Sequence, residues 1–561
     1  MTSRRTFDAI VVGSGITGGL AAKELTERGL ETLVLEAGGS FDPHHRGNAP
    51  PPAWQRPFLE RQARKELAIE QFVQRRCYAC RTAERDLFVN DRDNPYTTDP
   101  EHPFVWIRGR QVGGRSLTWA GWSYRWSDLD FEANLRDGIG VDWPIRYRDV
   151  APWYDYVERL VGITGEANHL AHLPDSCVLP PMPLNVAERY ARAKIEAAYG
   201  AERMLIPGRC ALMTVAPPGG TTCHHPAPKR CRCVLRPAFS SLTSTLPAAA
   251  RTGRLYLRPY SIGHSLVWDR ATRRVTAVRV IDARTRETVE VRGRVVLLCA
   301  SALESTRILL NSASPDWPTG LANSSGELGR NLMDHVTGAG AAGELPALGD
   351  LDDEVRPFDH VYIPRFRNVR DRAPGFVRGY AFQGRASRRR VSDARFVRYV
   401  PGHWWSSQPH DTWELVLKGY GESLPSRENY VELDPTVVDA WGVPVLRIHC
   451  SRGGNEWAML DDMADTAQEI LEAAGAVNIR PIRTSPPPGS AIHEMGTARM
   501  GRDPRTSVLN RWNQSHDVPN LFVTDGACMT SSACQNPSIT YMALTARACA
   551  YAVRQLARGE L

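Results

Sequence analysis

Gly13, Gly15, Gly18 and Glu36 are the first residues in the chain whose spacing carries a chemistry. In Gly13-Ser14-Gly15-Ile16-Thr17-Gly18 the first glycine permits a tight turn. The second lets a pyrophosphate approach bare backbone, and the third lets a helix pack closely on a strand. Unpaired N–H groups at the start of that helix face the phosphate charge. Glu36 follows at about twenty residues, the expected interval for an acid on a ribose diol. Its carboxylate would repel a 2′-phosphate, which argues against NADP. Glycine triplets arise by chance, so context decides. The apolar run 8–12 reads as a buried parallel strand, a helix ends at Gly29, and 32–35 reads as the next strand. The pattern is that of a dinucleotide site.

Further candidates lie downstream. In 106–126, Gly113-Gly114 offers bare backbone to a planar ring, and Ser116 and Thr118 can donate hydrogen bonds to it; on its own the pair reads first as a plain glycine turn. Asp525 stands at the end of a strand, 521–523, and Pro537-Ser538 opens a helix over 539–554, so both suit a cofactor's polar groups. A dinucleotide domain completed by the far end of the chain is more typical of flavoproteins than of nicotinamide dehydrogenases. Cys77 and Cys80 have CxxC spacing without a second pair at zinc distance, and read as two buried thiols. Cys223, His224, His225, Cys231 and Cys233 are suitable donors for zinc or an iron–sulfur cluster, but their spacing fits neither pattern. A packed or disulfide-linked loop is the alternative, and no metal is expected.

These groups need elements to position them. At 561 residues the chain exceeds one hydrophobic core, so two domains are expected. Its 42% hydrophobic and 23% charged composition is that of an ordinary globular protein. The net charge of +7 comes from arginines spread along the chain, and the densest run, Arg388-Arg389-Arg390, lacks interleaved aromatics. Nucleic acid is therefore not an expected partner. No apolar run reaches the ~20 residues of a membrane span, and residues 1–6 leave no room for a signal peptide, so no membrane contact and a cytoplasmic location are expected. Residues 254–300 read as a β-meander ending in a buried strand, with helices over 59–75, 143–162, 302–310 and 455–474. Residues 336–484 hold short strand candidates, such as 412–418 and 429–433. The second domain thus reads as an insertion in the first.

Taken together, GSGITGG with LVLEAGG, VGGRSLTW, GRNLMDH, IHEMGTARMG and DGACMTSSACQNPSITYMALTARA resemble the glucose–methanol–choline family of FAD-dependent oxidoreductases over nearly the whole chain. The resemblance implies an α/β fold: a Rossmann-like FAD-binding domain and a discontinuous substrate domain built on an antiparallel β-sheet with helices. It divides the chain into FAD-binding parts at 1–145 (with an excursion at 40–105), 237–335 and 485–561, and substrate parts at 146–236 and 336–484. The cofactor residues it implies are Gly13, Gly15, Thr17, Gly18, Glu36, Arg110, Gly113, Gly114, Ser116, Thr118, Asp525, Asn536, Pro537 and Ser538. His493 becomes the base that takes a hydroxyl proton while hydride passes to flavin N5, and Asn536 its partner; a neutral imidazole suits that task near neutral pH. His335, in GRNLMDH, is expected to pack. The asparagine partner and the VGGxSxxW pattern are closest to the pyranose-oxidising branch. Thr118 stands where fungal pyranose 2-oxidases tether their flavin through histidine, which implies noncovalent FAD and leans towards bacterial C-glycoside 3-oxidases. The expected reaction is oxidation of a secondary hydroxyl of a sugar or glycoside to a ketone, with oxygen or another electron acceptor. The alternatives are a pyranose 2-oxidase, or an oxidoreductase of another polyol or aminocyclitol with a non-oxygen acceptor.

Overall fold

The structure, a computed structural model, describes residues 5–41, 56–212, 239–349, 351, 353, 361–370, 372–373, 375–389 and 412–561. The cysteine-rich segment 221–233, the proline run 50–52 and Arg390 of the basic run lie outside them. Strand β1 (Thr6–Val12) is buried from Ala9 onward, as the centre of a parallel sheet must be. It pairs in parallel with β2 (Thr32–Leu35) on one side and with β8 (Thr288–Leu298) on the other. The sheet runs β5 (Leu255–Arg258), β2, β1, β8, β7 (Arg274–Asp282), β6 (Ser261–Asp269). The far edge of β8 is shared: its first half pairs antiparallel with β7, its last three residues parallel with β16 (Leu521–Val523). One long strand therefore joins the N-terminal, middle and C-terminal parts of the chain.

The meander expected over 254–300 is shorter than its sequence suggests. β6, β7 and β8 form it, but β5 pairs in parallel with β2 at the opposite edge. The helix Thr245–Arg251 comes just before β5 and packs on the helix Ile16–Glu27, which places β5 beside β2. The last helix, Ser538–Ala557, packs on Ile16–Glu27 as well and is buried along most of its length.

A second sheet is antiparallel along its main strands. Its order is β15 (Val477–Arg483), β9 (Val336–Glu344), β12 (Thr412–Gly421), β11 (Tyr380–Arg389), β10 (Val361–Ile363), β4 (Ile206–Pro207). The helix Gly454–Ala473 covers one face, where Met459, Met463 and Ile470 pack with Tyr380, Phe382, Leu415 and Leu417. Because side chains alternate along a strand, Gln383, Arg385, Lys418 and Tyr420 occupy the other face. A small third sheet joins β13 (Tyr430–Val438), β14 (Pro444–His449) and β3 (Thr97–Thr98). Among the described residues, no helix is long and apolar enough to cross a membrane.

The glycine motif tests the packing of β1 on its helix. A Cβ on Gly18 would lie 2.0 Å from the Gly13 carbonyl oxygen, whereas one on Gly15 meets no atom within 4 Å. Gly18→Ala is expected to cost about 1–3 kcal/mol of stability through overpacking. Gly15→Ala should leave the melting temperature of the cofactor-free protein unchanged. Thermal melts of the two variants check this; equal shifts would contradict it.

Candidate active site

A cavity of about 580 Å³ runs between the two large sheets, from the glycine loop at one end to His493 and Asn536 at the other. At the nucleotide end, Gly13, Gly15, Thr17 and Glu36 line it. The Glu36 carboxylate accepts from Ser14 Oγ at 2.6 Å, Ser14 N at 3.1 Å and Gly38 N at 2.8 Å. Burial pushes its pKa up, opposed by these bonds and by Arg110. Gly18 packs helix on turn and does not face the cavity. Gly113, at φ +97°, donates its N–H to Ser14 Oγ at 3.0 Å, and a Cβ on Gly114 would approach Gly15 Cα at 3.0 Å. The VGG loop thus lies directly against the nucleotide loop. Ser116 and Thr118 both line the cavity. The Ser116 hydroxyl is engaged by the backbone, donating to Gly113 O at 2.6 Å and accepting Ser241 N–H at 3.0 Å. Arg110, Asp525 and Ser538 also line the space, whereas Pro537 does not. The buried Tyr541 hydroxyl has no hydrogen-bond partner among the described residues and faces the same cavity. An open glycine edge, a buried carboxylate at the end of β2 and an unsatisfied phenol fit the dinucleotide read from the sequence.

At the other end the chemistry is set by two loops zipped together. Met333 and Met495 exchange backbone hydrogen bonds, both 2.9 Å long. Between them the Asp334 carboxylate accepts Ala491 N–H at 3.0 Å and His493 N–H at 2.9 Å. Both donors reach it because Ile492 takes φ +65°, a left-handed conformation that is a genuine outlier for a β-branched residue. Burial raises the Asp334 pKa to about 6, with Glu494 adding to the effect. Arg115, from the VGG segment, holds Glu494 at 2.9 Å and Ser301 Oγ at 2.7 Å. Three motifs distant in sequence, with Ser301 beside them, therefore meet around His493.

This arrangement also brings in His335, expected only to pack. Its Nε2 lies 3.1 Å from the Ser532 carbonyl, which can only accept, so Nε2 carries the hydrogen. Burial lowers its pKa to about 4, leaving a neutral ring whose Nδ1 is an acceptor. His493 Nδ1, 3.0 Å away, must then be the donor, and His493 Nε2 is left with a bare lone pair. Asn536 Nδ2 faces that nitrogen at 3.4 Å, while its Oδ1 accepts from Gln383 Nε2 at 2.6 Å. The His493 pKa is held well below the usual 6.5 by burial, then by His335 and Arg115. The chain of hydrogen bonds fixes an imidazole that can accept one proton on the cavity side. The signal for His335 in the sequence was its motif; its role depends on a contact between residues 158 apart.

The remaining thiol and metal candidates lie elsewhere. Cys77 and Cys80 are buried and free, and burial pushes the Cys80 thiol up to about 12. Among the described residues, Asp155, Glu158 and Cys177 come close enough to share an ion, but the Arg125 guanidinium occupies their centre at 2.5 Å from both carboxylates.

The tautomer relay makes a distinction that activity can read. His335→Leu leaves His493 Nδ1–H without an acceptor, and misorientation should lower kcat by about 10²-fold. His335→Gln retains an acceptor and should lose less. With His493 proposed as the base, activity of the unaltered protein should persist below pH 6.5 and fall only as pH drops through the depressed His493 pKa. Equal losses for both variants, or an acid limb at or above 6.5, would contradict the relay.

Comparison with known proteins fits this geometry. Residues 221–337 and 425–545 match the N- and C-terminal models described as GMC oxidoreductase. The 2-methyl-1,2-propanediol dehydrogenase of Mycolicibacterium austroafricanum is 30% identical, over 99% of this chain and 96% of its own. A C-glycoside 3-oxidase of Arthrobacter globiformis is 38% identical over 126 residues, 22% of this chain and 23% of its own. The crystal structure of pyridoxine 4-oxidase from Mesorbium loti superposes with a TM-score of 0.60 at 16% identity, covering 98% of this chain and 99% of that one, and so shares the fold. The likeness to the diol dehydrogenase is one that runs the full length of the chain, and the likeness to the C-glycoside enzyme is local. By this full-length match and both family models, the chain belongs to the GMC oxidoreductase family of FAD-dependent enzymes that oxidise alcohols.

Proposed function

We propose that this protein oxidises a secondary hydroxyl of a sugar or glycoside to a ketone, with His493 as base and Asn536 as its partner. The observation that carries the reading is the bare Nε2 of His493 facing Asn536 Nδ2 at 3.4 Å inside the cavity that begins at the nucleotide loop. Bound FAD supplies the hydride acceptor at N5. His493 Nε2 takes the hydroxyl proton, and its low pKa keeps the lone pair available at neutral pH. Asn536 Nδ2–H donates to the same oxygen as negative charge develops there, and Gln383 keeps the amide in that orientation. On this reading the parallel sheet's segments hold FAD and the antiparallel sheet's segments hold the substrate, as divided above. The local likeness to a C-glycoside 3-oxidase supports a pyranose substrate oxidised at C3. A second reading, oxidation of a smaller polyol with a non-oxygen acceptor, is favoured by a likeness to a diol dehydrogenase over 99% of the chain.

Thr118 lines the cavity and offers no nucleophilic nitrogen, so the FAD is proposed to be noncovalent. Acid precipitation of the purified holoenzyme should then leave the yellow flavin in the supernatant; flavin retained in the pellet would refute it. His493→Ala should keep the flavin and lose turnover by ~10² or more. Anaerobic bleaching of the oxidised flavin band by a panel of sugars, glycosides and polyols measures this directly. Near-normal bleaching by the variant would remove His493 from the mechanism.

A further inference from the structure

The face of the antiparallel sheet that looks into the cavity carries four polar side chains in register. Gln383 and Lys418 are directly opposed across β11 and β12; Arg385 stands two residues beyond Gln383, and Tyr420 two beyond Lys418. Opposed residues have Cβ atoms about 4.5–5.5 Å apart and diagonal ones about 7–8 Å. An ammonium and a guanidinium therefore flank one patch. Gln383 ties that patch to the chemistry, because its amide bonds Asn536, which faces His493. On the next strand Gly340 lies opposite Lys418 and Ala342 opposite Val416, so no bulky side chain from β9 fills the floor.

Cations line the cavity from both halves, Arg108, Arg110 and Arg115 on the nucleotide side and Arg385 and Lys418 on the sheet face, whereas the described carboxylates stand on one side. Among the described residues four carboxylates line it, all from the parallel-sheet half and all engaged: Glu36 by Ser14, Glu304 by Arg307, Glu494 by Arg115 and Asp525 by Ser305. Glu414 shares the sheet face with Lys418, but it pairs with Arg480 and does not line the cavity. Arg385 and Lys418 have contacts of their own within the chain, and an oxyanion between them would add to these. A guanidinium fork beside a point charge suits a carboxylate or phosphate. A protonated amine placed there would find only donors on these two side chains.

We infer that the substrate is an anionic sugar derivative, whose oxyanion lies between Arg385 and Lys418 while a hydroxyl several atoms away reaches His493 and Asn536. This rests on the sugar-oxidising reading and narrows it, setting aside aminated polyols. The test is anaerobic reduction of the holoenzyme by two matched pairs: methyl glucoside against methyl glucuronide, and glucose against glucose 6-phosphate. In at least one pair the anionic member should bleach the flavin with a second-order rate constant ~10-fold or more above its neutral twin. The pair that shows it separates carboxylate from phosphate. Lys418→Met and Arg385→Met should each bring the ratio towards one, and Lys418→Arg should keep it. Equal rates within both pairs, or an anion preference that survives both methionine variants, would overturn the inference and leave sugar oxidation standing. If none of the four bleaches a fully loaded flavin, the sugar reading fails and this inference with it.

Discussion

The paired backbone hydrogen bonds between Met333 and Met495 are the constraint on which the site depends. Strand β9 begins at Val336, three residues after that bridge, so the bridge sets where the antiparallel sheet starts relative to the C-terminal segment that carries His493. The same bridge places Asp334 under the His493 loop and His335 beside its ring. One short pairing thus aligns His493, its neighbour His335 and the strand β9 that follows. Without it, the Gln383–Asn536 contact, which crosses from that sheet to the last helix, would have no fixed register.

Burial makes this arrangement costly and also makes it act. Asp334 and Asp525 both have pKa values raised to about 6 because they are enclosed. A carboxylate whose pKa is higher in the folded than the unfolded state weakens folding above that pKa, so neither is there for stability at neutral pH. What they provide is orientation. Asp334 fixes two consecutive loop residues through their N–H groups, and Asp525 accepts Ser305 Oγ and Ala527 N–H at the turn where β16 ends. The left-handed Ile492 is paid for by the same convergence on Asp334. Donors fixed in this way need no reorganisation when charge develops on a substrate oxygen.

Much of the nucleotide half was legible in the sequence, because its signals are local. A strand, a glycine turn, a helix and an acid fall within residues 6–36, and the structure places them as read. The helices at Ala302–Leu310 and Gly454–Ala473 were likewise visible from their own periodicity. What escaped were relations between distant segments. Leu255–Arg258 has the same pattern as an edge of the meander or as a parallel edge strand, and only the helix before it decides. His335 looked like a packing residue because nothing near it in sequence says that Ser532 and His493 will bracket its two nitrogens. The row formed by Gln383, Arg385, Lys418 and Tyr420 depends on the pairing of β11 with β12, and pairing register is invisible in either strand alone.

The two sheets divide the work in a way that explains this difference in legibility. The parallel half must meet a cofactor of fixed shape, so its demands fall on backbone: bare glycine at 15, positive φ at 13 and 113, and N–H groups at a helix start. Such demands restrict residue type strongly and leave a pattern. On the proposed reading the antiparallel half meets a substrate with side chains on a regular strand face, where almost any residue is sterically allowed. Changing Arg385 or Lys418 alters no backbone angle and removes nothing from the apolar core beneath, which is built from Tyr380, Phe382, Leu415 and Leu417 on the opposite face. On that reading specificity can vary there without disturbing the apolar core, while the His493–Asn536 pair is tied to the sheet through Gln383. For the same reason the fold and the family identify the reaction type, whereas the charge on the β11–β12 face is the feature that bears on the substrate.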